Sequence, residues 1–441
     1  MPGNQNIIKL HERGIFQNIF PEERSPDLQR ALVGSQQCMY CGFDPTADSL
    51  HVGNLLAIIA LLHGQRAGHN VIAVLGSATA QIGDPSGKNK ERDAMDKSTI
   101  NANVESISKS LDAIFRNHAE HFWPFEKELS PPKILQNGEW YKDKSIIHFL
   151  STTGRNFRMG SMLQRDSVKS RLSTAEGMSL TEFMYQVFQA YDWLHLHKNH
   201  KCTIQLGGND QLGNIVAGFE LVKKVTNKEL FGITIPLLTT KSGHKFGKSA
   251  GNAIWLNAKR TSAFHFYQHF LRLADTEVEK YLNLFTFLRN DQISEIIKQH
   301  DKDRSKRIAQ KKLASEVTLL VHGDEGLSSA LRCTEALYGG SPAGLAKLHE
   351  QELRELFSNA KSSELFYEPG TTVFDTVMKT GTFNRAVDAE RTIKEGGIYL
   401  NEVRMSEASH VLIPSQHILP NNITILRLGK KNYHLVKWLG L

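Results

Sequence analysis

The chain has 441 residues, 40% hydrophobic and 22% charged, which places it among globular proteins with ample apolar material for a core and a prior of about three domains. Its formal charge of +7 permits a polyanionic partner such as nucleic acid without demanding one. Four cysteines in so long a chain favour a reducing compartment, and the lone Cys38-x-x-Cys41 pair has no second pair at zinc-ribbon spacing, so no metal site is expected.

No apolar run approaches the ~20 residues that span a bilayer, so no membrane partner is expected. The opening segment, "MPGNQNIIKLHERGIF", lacks the apolar stretch of a secretory signal and is not the Arg- and Ser-rich segment of a transit peptide. In chain order, "CMYCGF" (38–43) reads as a strand, "HVGNLLAIIALLHGQRAGH" as a helix ending near Gly68, and "NVIAVLGSA" as a buried strand closed by Gly76. Strand, helix, strand over this length is a βαβ unit. Further short strands at "CTIQLGG" (202–208) and "ITIPLLTT" (233–240) predict an α/β fold with a doubly wound, Rossmann-like parallel sheet.

Residues 110–180 are more polar and irregular, and "WPFEKELSPPKILQNGEWY" reads as a loop within an insertion. "TEFMYQVFQAYDWL" (181–194) reads as a helix and "HLHKNHK" (195–201) as a polar loop after it, with a metal role for its three histidines the less favoured alternative. From 262 to 356 the pattern is helical and charged, "FYEPGTT" (366–372) reads as a linker, and "RTIKEGGIYLNEVRM" as helix, Gly-Gly stop and strand. The resulting plan is a sheet domain over 1–256, a helical domain over 257–365 and a small α+β unit over 366–441.

Two stretches carry chemistry. His51-Val-Gly-Asn54 stands where a strand hands over to a helix, and a helix start suits an anion through its N–H groups and dipole. Gly53 allows close approach, and His51 and Asn54 can donate to phosphate oxygens; a helix cap with a satisfied histidine is the equal alternative. "TKSGHKFGKSAGN" (240–252) sets Lys245, Lys248 and Ser249 around Gly247, a cationic clamp for charge developing on a departing pyrophosphate, or else a solvated basic loop. In the 181–194 helix, Phe183, Met184, Val187, Phe188, Tyr191 and Leu194 share an apolar face. Tyr185, Gln189 and Asp192 fall opposite, where periodicity alone puts solvent. The lack of Lys or Arg there equally suits a pocket for an ammonium group and a hydroxyl.

"HVGN" resembles the His-Ile-Gly-His signature, and "KFGKS" the Lys-Met-Ser-Lys-Ser signature, of class I aminoacyl-tRNA synthetases. "YCGFDPTADSLHVGN", "IGDPSGK", "TEFMYQVFQAYDWL" and "IQLGGNDQLGN" together resemble tyrosyl-tRNA synthetases, and "GNAIWLN" and "ILRLGKKNYHLVKWLGL" their animal mitochondrial members. "GDPSGK" is not a phosphate-binding loop of the Walker type, since Ile82 and Asn89 stand where that pattern needs Gly and Ser or Thr. The family's second signature histidine is Asn54 here.

The resemblance implies a tyrosine pocket in which Tyr185 and Gln189 hold the α-ammonium and Asp192 with Tyr40 bonds the phenolic hydroxyl. Asp84 and Gln205 complete that pocket. Asp44 lies near the ammonium and Thr46 near the phosphates. Cys41, Gly42, His51, Gly53, Asn54, Gly208, Asp210, Gln211, Lys245 and Lys248 serve ATP, with Gly208 and Asp210 on the ribose and Gln211 close to the reacting carboxylate. Catalysis falls to His51, Asn54, Thr46, Lys245, Lys248 and Ser249, with Mg²⁺ assisting.

The implied partners are L-tyrosine, ATP and tRNA(Tyr), in a homodimer of the mitochondrial matrix. The KFGKS loop (245–249) closes the catalytic domain, the helical domain recognises the anticodon, and the C-terminal unit is S4-like. From 371 onward nine Lys or Arg stand against six Asp or Glu, and Arg427, Lys430, Lys431 and Lys437 are interleaved with Tyr433, His434 and Trp438. Basic groups attract phosphates and aromatic rings can stack on unpaired bases. The alternatives are a nucleotidyltransferase that ignores RNA and an RNA-binding or splicing scaffold that keeps the fold without catalysis.

Overall fold

The computed structural model describes residues 10–88, 90–238, 248–249, 252–338, 344–345, 347–356, 361–429 and 432–441. Contacts divide the chain into two units, Met1–Thr261 with Phe266–Gly323, and Ser262–His265 with Asp324–Leu441. The division falls within the helical run Ile308–Tyr338, at Gly323, whose φ of +69° interrupts the helix.

The first unit is built on a six-stranded sheet of β1 (Asn18–Phe20), β2 (Cys38–Phe43), β3 (Asn70–Leu75), β4 (Lys133–Gln136), β5 (Ile204–Gly208) and β6 (Phe231–Ile235). The spatial order is β1-β6-β5-β2-β3-β4. β2 to β6 run parallel, and β1 closes one edge antiparallel to β6. The inner strands are almost wholly buried, which is why they read as continuous apolar runs. The crossover helix Val52–Arg66 is apolar nearly all round and buried along its length, as a helix enclosed by its own domain must be. The order reverses between β2 and β5, and in such sheets ligands bind outside the carboxyl ends of the strands at that switch. A two-residue hairpin, β7 (Lys248–Ser249) with β8 (Asn252–Ala253), follows in sequence.

Three sequence expectations change in this unit. The polar stretch from 110 is not irregular: Lys97–His121 is a 25-residue helix, and Lys133–Gln136, expected as loop, is the parallel edge strand β4. An edge strand of four residues, two of them polar and exposed, has no room to show alternation. "HLHKNHK" is not a loop either, because the helix Leu180–His200 runs through it and stops only at Lys201, φ +56°. Buried Leu194 and Leu196 carry the helical face past Trp193, and the Asn199 amide bonds the His195 carbonyl at 2.9 Å.

The second unit holds a five-stranded sheet of β9 (Lys361–Phe366), β10 (Ile398–Leu400), β11 (Val403–Met405), β12 (Ile423–Leu428) and β13 (Asn432–Leu439), ordered β11-β10-β12-β13-β9. Val377, Ile393, Leu426, Val436 and Trp438 pack its core. "FYEPGTT" is therefore not a free linker: Phe366 ends β9, the Tyr367 N–H bonds the Leu439 carbonyl at 3.0 Å, and Thr372 caps the helix Val373–Lys379. Trp438 and His434 are not available to stack on bases. Trp438 is buried and donates to Thr424 at 2.8 Å, and buried His434 bonds Ser363 at 2.9 Å.

Candidate active site

The predicted site residues of the first unit lie in β2 and β5 themselves, in the segments that follow β2, β3, β4 and β5, and in the stretch after β6. Two carboxylates organise one region. Asp192, on the helix Leu180–His200, is buried and accepts from the Trp140 indole at 2.8 Å and the Tyr141 phenol at 2.8 Å on Oδ1, and from the Asn137 amide at 3.1 Å on Oδ2. Asp44, just past β2, accepts from Thr79 at 2.7 Å on Oδ1 and from the Tyr185 phenol at 2.8 Å on Oδ2. Asn137 joins the two: its amide N–H groups reach Asp192 and the Thr79 hydroxyl (2.9 Å), and its oxygen accepts from the Ala78 N–H at 2.8 Å. A continuous chain of bonds thus runs Asp192–Asn137–Thr79–Asp44–Tyr185. The open Cα face of Gly76 makes it possible, because a Cβ there would lie 1.9 Å from Asp44 Oδ1.

Burial raises the Asp192 carboxyl to about 7, against the pull of its three donors. Asp44 rises to about 6, chiefly from burial and also from neighbouring Asp84. Burial and the Asp192 charge hold the Tyr40 phenol protonated far above its usual range. The Tyr40 hydroxyl is buried and, among the described residues, has no hydrogen-bond partner; the same is true of Gln205 Oε1. A buried polar atom without a partner is costly, and both are in the predicted tyrosine set. Tyr185 feels the charges of Asp44, Asp84 and Asp192 together. Gln189 lies half-buried on the same helix. The face that periodicity alone would give to solvent is therefore covered by the rest of the domain.

Asp84 is held by the Gln211 amide at 2.7 Å and by the Ser86 N–H at 3.0 Å. Asn214 bonds Gln211 at 3.0 Å and Ser86 at 3.3 Å, so the strand-end after β5 is tied to the "GDPSGK" turn. The Asp210 carboxylate lies over Gly208, where a Cβ would stand 2.5 Å from its Oδ1. Burial pushes the Cys41 thiol up to about 12, which keeps it protonated and no nucleophile. Gly42 and Thr46 are exposed at this edge.

At the start of the crossover helix the cap expected of His51 and Asn54 is present: the His51 N–H bonds the Asn54 side-chain oxygen at 3.1 Å. That use of the oxygen leaves Asn54 its amide N–H groups as the donors it can offer an anion. The Val52 N–H is taken by the Ile254 carbonyl at 2.9 Å, so the helix offers fewer open amides than a bare N-terminus would. His51 pairs with Trp255 through a β-bridge, and their rings lie 6.3 Å apart. The backbone returning from the β7–β8 hairpin is therefore seated against His51. Lys245 lies outside the described residues, as do the side chains of Lys248 and Ser249.

Sequence reasoning missed Thr79, Asn137, Trp140, Tyr141 and Asn214. Asn137 to Tyr141 were hidden inside "KILQNGEWY", where recognising β4 would have placed them at a strand's carboxyl end beside β3.

A family model described as tRNA synthetases class I (W and Y) matches residues 35–339, and one described as Tyrosine--tRNA ligase SYY-like C-terminal domain matches residues 352–436. The chain is 48% identical over 438 residues to the mitochondrial tyrosine--tRNA ligase of Drosophila melanogaster, covering 98% of this chain and 94% of that one. It is 48% identical over 445 residues to the mitochondrial tyrosine--tRNA ligase of Homo sapiens, covering 100% and 93%. A C-terminally truncated Aspergillus nidulans mitochondrial tyrosyl-tRNA synthetase superposes with a TM-score of 0.69 at 34% identity, over 75% of this chain and 94% of that one. The sheet with its switch point, the buried carboxylate network and these matches agree: the chain belongs to the tyrosyl-tRNA synthetases, class I aminoacyl-tRNA synthetases.

Proposed function

We propose that the site takes L-tyrosine with its hydroxyl between Asp192 and Tyr40 and its ammonium held by Tyr185 and Gln189 with Asp44 near, and that Asp84 and Gln205 complete its wall. The observation that carries this reading is the buried, unpartnered Tyr40 hydroxyl within the field of a buried carboxylate that already holds three donors. A carboxylate offers about four acceptor positions, so one remains. A ligand hydroxyl can donate to that position and accept from Tyr40. Phenylalanine would leave the Tyr40 hydroxyl without a partner and the fourth acceptor position of Asp192 empty, and no editing site is needed to reject it.

The substrate nucleotide is ATP with its Mg²⁺, the metal arriving on the phosphates as part of the substrate. Among the described residues no group of three or more His, Cys, Asp or Glu could serve as a resident metal site. The tyrosine carboxylate attacks the α-phosphorus, the bond to the pyrophosphate oxygen breaks, and tyrosyl-adenylate forms; the tyrosyl group then passes to the terminal adenosine of tRNA(Tyr). His51, Asn54 and Thr46 contact the phosphates, with Gly53 giving room. Cys41, Gly42, Gly208 and Asp210 hold the adenosine. Gln211 lies close to the reacting carboxylate. Lys245, Lys248 and Ser249 neutralise the departing pyrophosphate. Catalysis is positioning plus electrostatic stabilisation, without a covalent enzyme intermediate.

The reading extends to a mitochondrial-matrix homodimer that uses its helical and S4-like regions on the tRNA. The exposed Ile146 (71%), Ile147 (73%) and Leu150 (44%) on the helix Ile146–Thr152 support a second copy as the cover for that face. ATP–pyrophosphate exchange with tyrosine and with phenylalanine, followed by charging of mitochondrial tRNA(Tyr), tests the assignment. Lys248→Ala should cut exchange about a hundredfold and leave tyrosine affinity unchanged. Equal exchange with phenylalanine would overturn the pocket assignment, and full exchange in Lys248→Ala would remove that lysine from the mechanism.

A further inference from the structure

The Asp192 carboxylate is served by three donors from one short segment, Asn137 to Tyr141, and Tyr141 is the one with a second option. Its hydroxyl lies 2.8 Å from Asp192 Oδ1 and 2.8 Å from the Phe188 carbonyl. It has one proton to give, and a charged acceptor makes the stronger bond. Its ring is fixed by Phe149, Phe188 and Tyr191, with centroids 6.3, 5.4 and 5.6 Å away, so the hydroxyl is aimed by packing. Trp140 fills the other position on Oδ1 at 2.8 Å and is itself stacked on His195 at 4.4 Å. Oδ1 is thereby saturated, and the open position is on Oδ2.

We propose that Tyr141 is a positioning residue for substrate specificity: by donating to Oδ1 it favours the ionised form of Asp192 and leaves Oδ2 as the single acceptor for the tyrosine hydroxyl. The proposal rests on the reading of this pocket as the tyrosine site. The titratable groups facing Asp192 are Tyr40 from β2, Asp44 beyond it, Tyr185 on the same helix, Tyr141, and His195 through Trp140. All but Tyr141 either oppose the charge or act at one remove. When Asp192 takes a proton, Tyr141 can turn to the Phe188 carbonyl, so the ionised and neutral states each have a satisfied arrangement.

The test is the pH profile of kcat/KM for tyrosine, which reports groups of the free enzyme. In Tyr141→Phe the midpoint assigned to Asp192 should move up by about one pH unit and kcat/KM for tyrosine at pH 7 should fall about fivefold to tenfold, while KM for ATP holds. In an Asp192→Asn background, adding Tyr141→Phe should produce no further movement of the midpoint. Phenylalanine keeps the ring packing, and a partly unfolded preparation lowers the amplitude of the profile and not its midpoint. A wild-type midpoint in Tyr141→Phe, with Asp192→Asn still crippling tyrosine use, overturns the role of Tyr141 and leaves the pocket standing. An Asp192→Asn enzyme with unchanged kcat/KM for tyrosine overturns the pocket and this proposal with it.

Discussion

Replacing Asp192 by Asn should change how the unliganded enzyme's stability depends on pH. The carboxyl is raised to about 7 in the fold, against an ordinary value of 3.8. Between those values the native state holds a proton that the unfolded chain has released, so stability is full below pH 4 and falls as pH rises to 7. Each unit is worth about 1.4 kcal/mol, which makes the loss from this one group about 1.5 kcal/mol at pH 5 and about 4 kcal/mol at pH 8. Its three hydrogen bonds are already counted, because they favour the ionised form and lower the value they act on. Asparagine removes the titration. Urea unfolding of wild type and Asp192→Asn at pH 4, 5, 6, 7 and 8, without tyrosine, gives the difference curve directly. A fixed cost of substitution, such as an amide set against the Asn137 amide, lifts or lowers the whole curve and leaves its slope alone. The variant should gain about 3–4 kcal/mol on wild type between pH 4 and pH 8. Parallel curves over that range would refute the claim that the carboxyl is raised by burial.

Two further substitutions test other parts of the site. In Gly53→Ala the new methyl would stand 2.8 Å from His51 Cε1 and 2.9 Å from Nδ1, so the ring must swing away. Adenylate formation should slow about tenfold or more with tyrosine affinity unchanged; an unaltered burst rate would take His51 out of the chemistry. Arg171 and Glu182 form a buried two-pronged pair, Nε to Oε1 and Nη2 to Oε2 at 2.8 Å each, that fastens the start of the pocket helix to the helix Asp166–Leu172. Glu182→Gln should cost about 3–5 kcal/mol in urea unfolding; a loss under about 1 kcal/mol would show that water reaches the pair.

The sheet was legible because its inner strands are continuously apolar and its crossover helix begins at a recognisable signature. The pocket was legible only in part. Tyr185, Gln189 and Asp192 announce themselves as an uncharged-to-acidic face on an apolar helix, but periodicity can only say which residues share a side. It cannot say that the side opposite the core is covered, since the cover is another segment of the same chain. That segment, Asn137 to Tyr141, follows an edge strand too short to carry a pattern, and its Asn-Gly pair looks like an ordinary turn. The histidines after Leu194 misled for a similar reason: a polar run reads as a loop unless the buried residues between its members, here Leu196, are weighed by their register. In the last strand the aromatic residues among lysines suggested a stacking surface, but β13 is buried at His434, Leu435, Val436 and Trp438, so composition gave the wrong face.

The bond chain from Asp192 to Tyr185 gives the pocket a property that neither end has alone. Asn137 has spent both amide N–H groups inside the protein, on Asp192 and Thr79, its oxygen accepts from the Ala78 N–H, and its side chain is fully buried. On the proposed reading its work is to fix the distance between Asp192, which would meet a hydroxyl, and Asp44, which would lie near an ammonium. A ligand must then match both charge patterns at one separation. Each end alone would accept many small amines or phenols; on that reading a rigid spacer between them would admit a molecule in which a para-hydroxyl and an α-ammonium are held apart by one ring, one methylene and the α-carbon. Selectivity of that kind comes from the preorganised protein network, because a network already satisfied within itself does not relax to follow a poorer ligand.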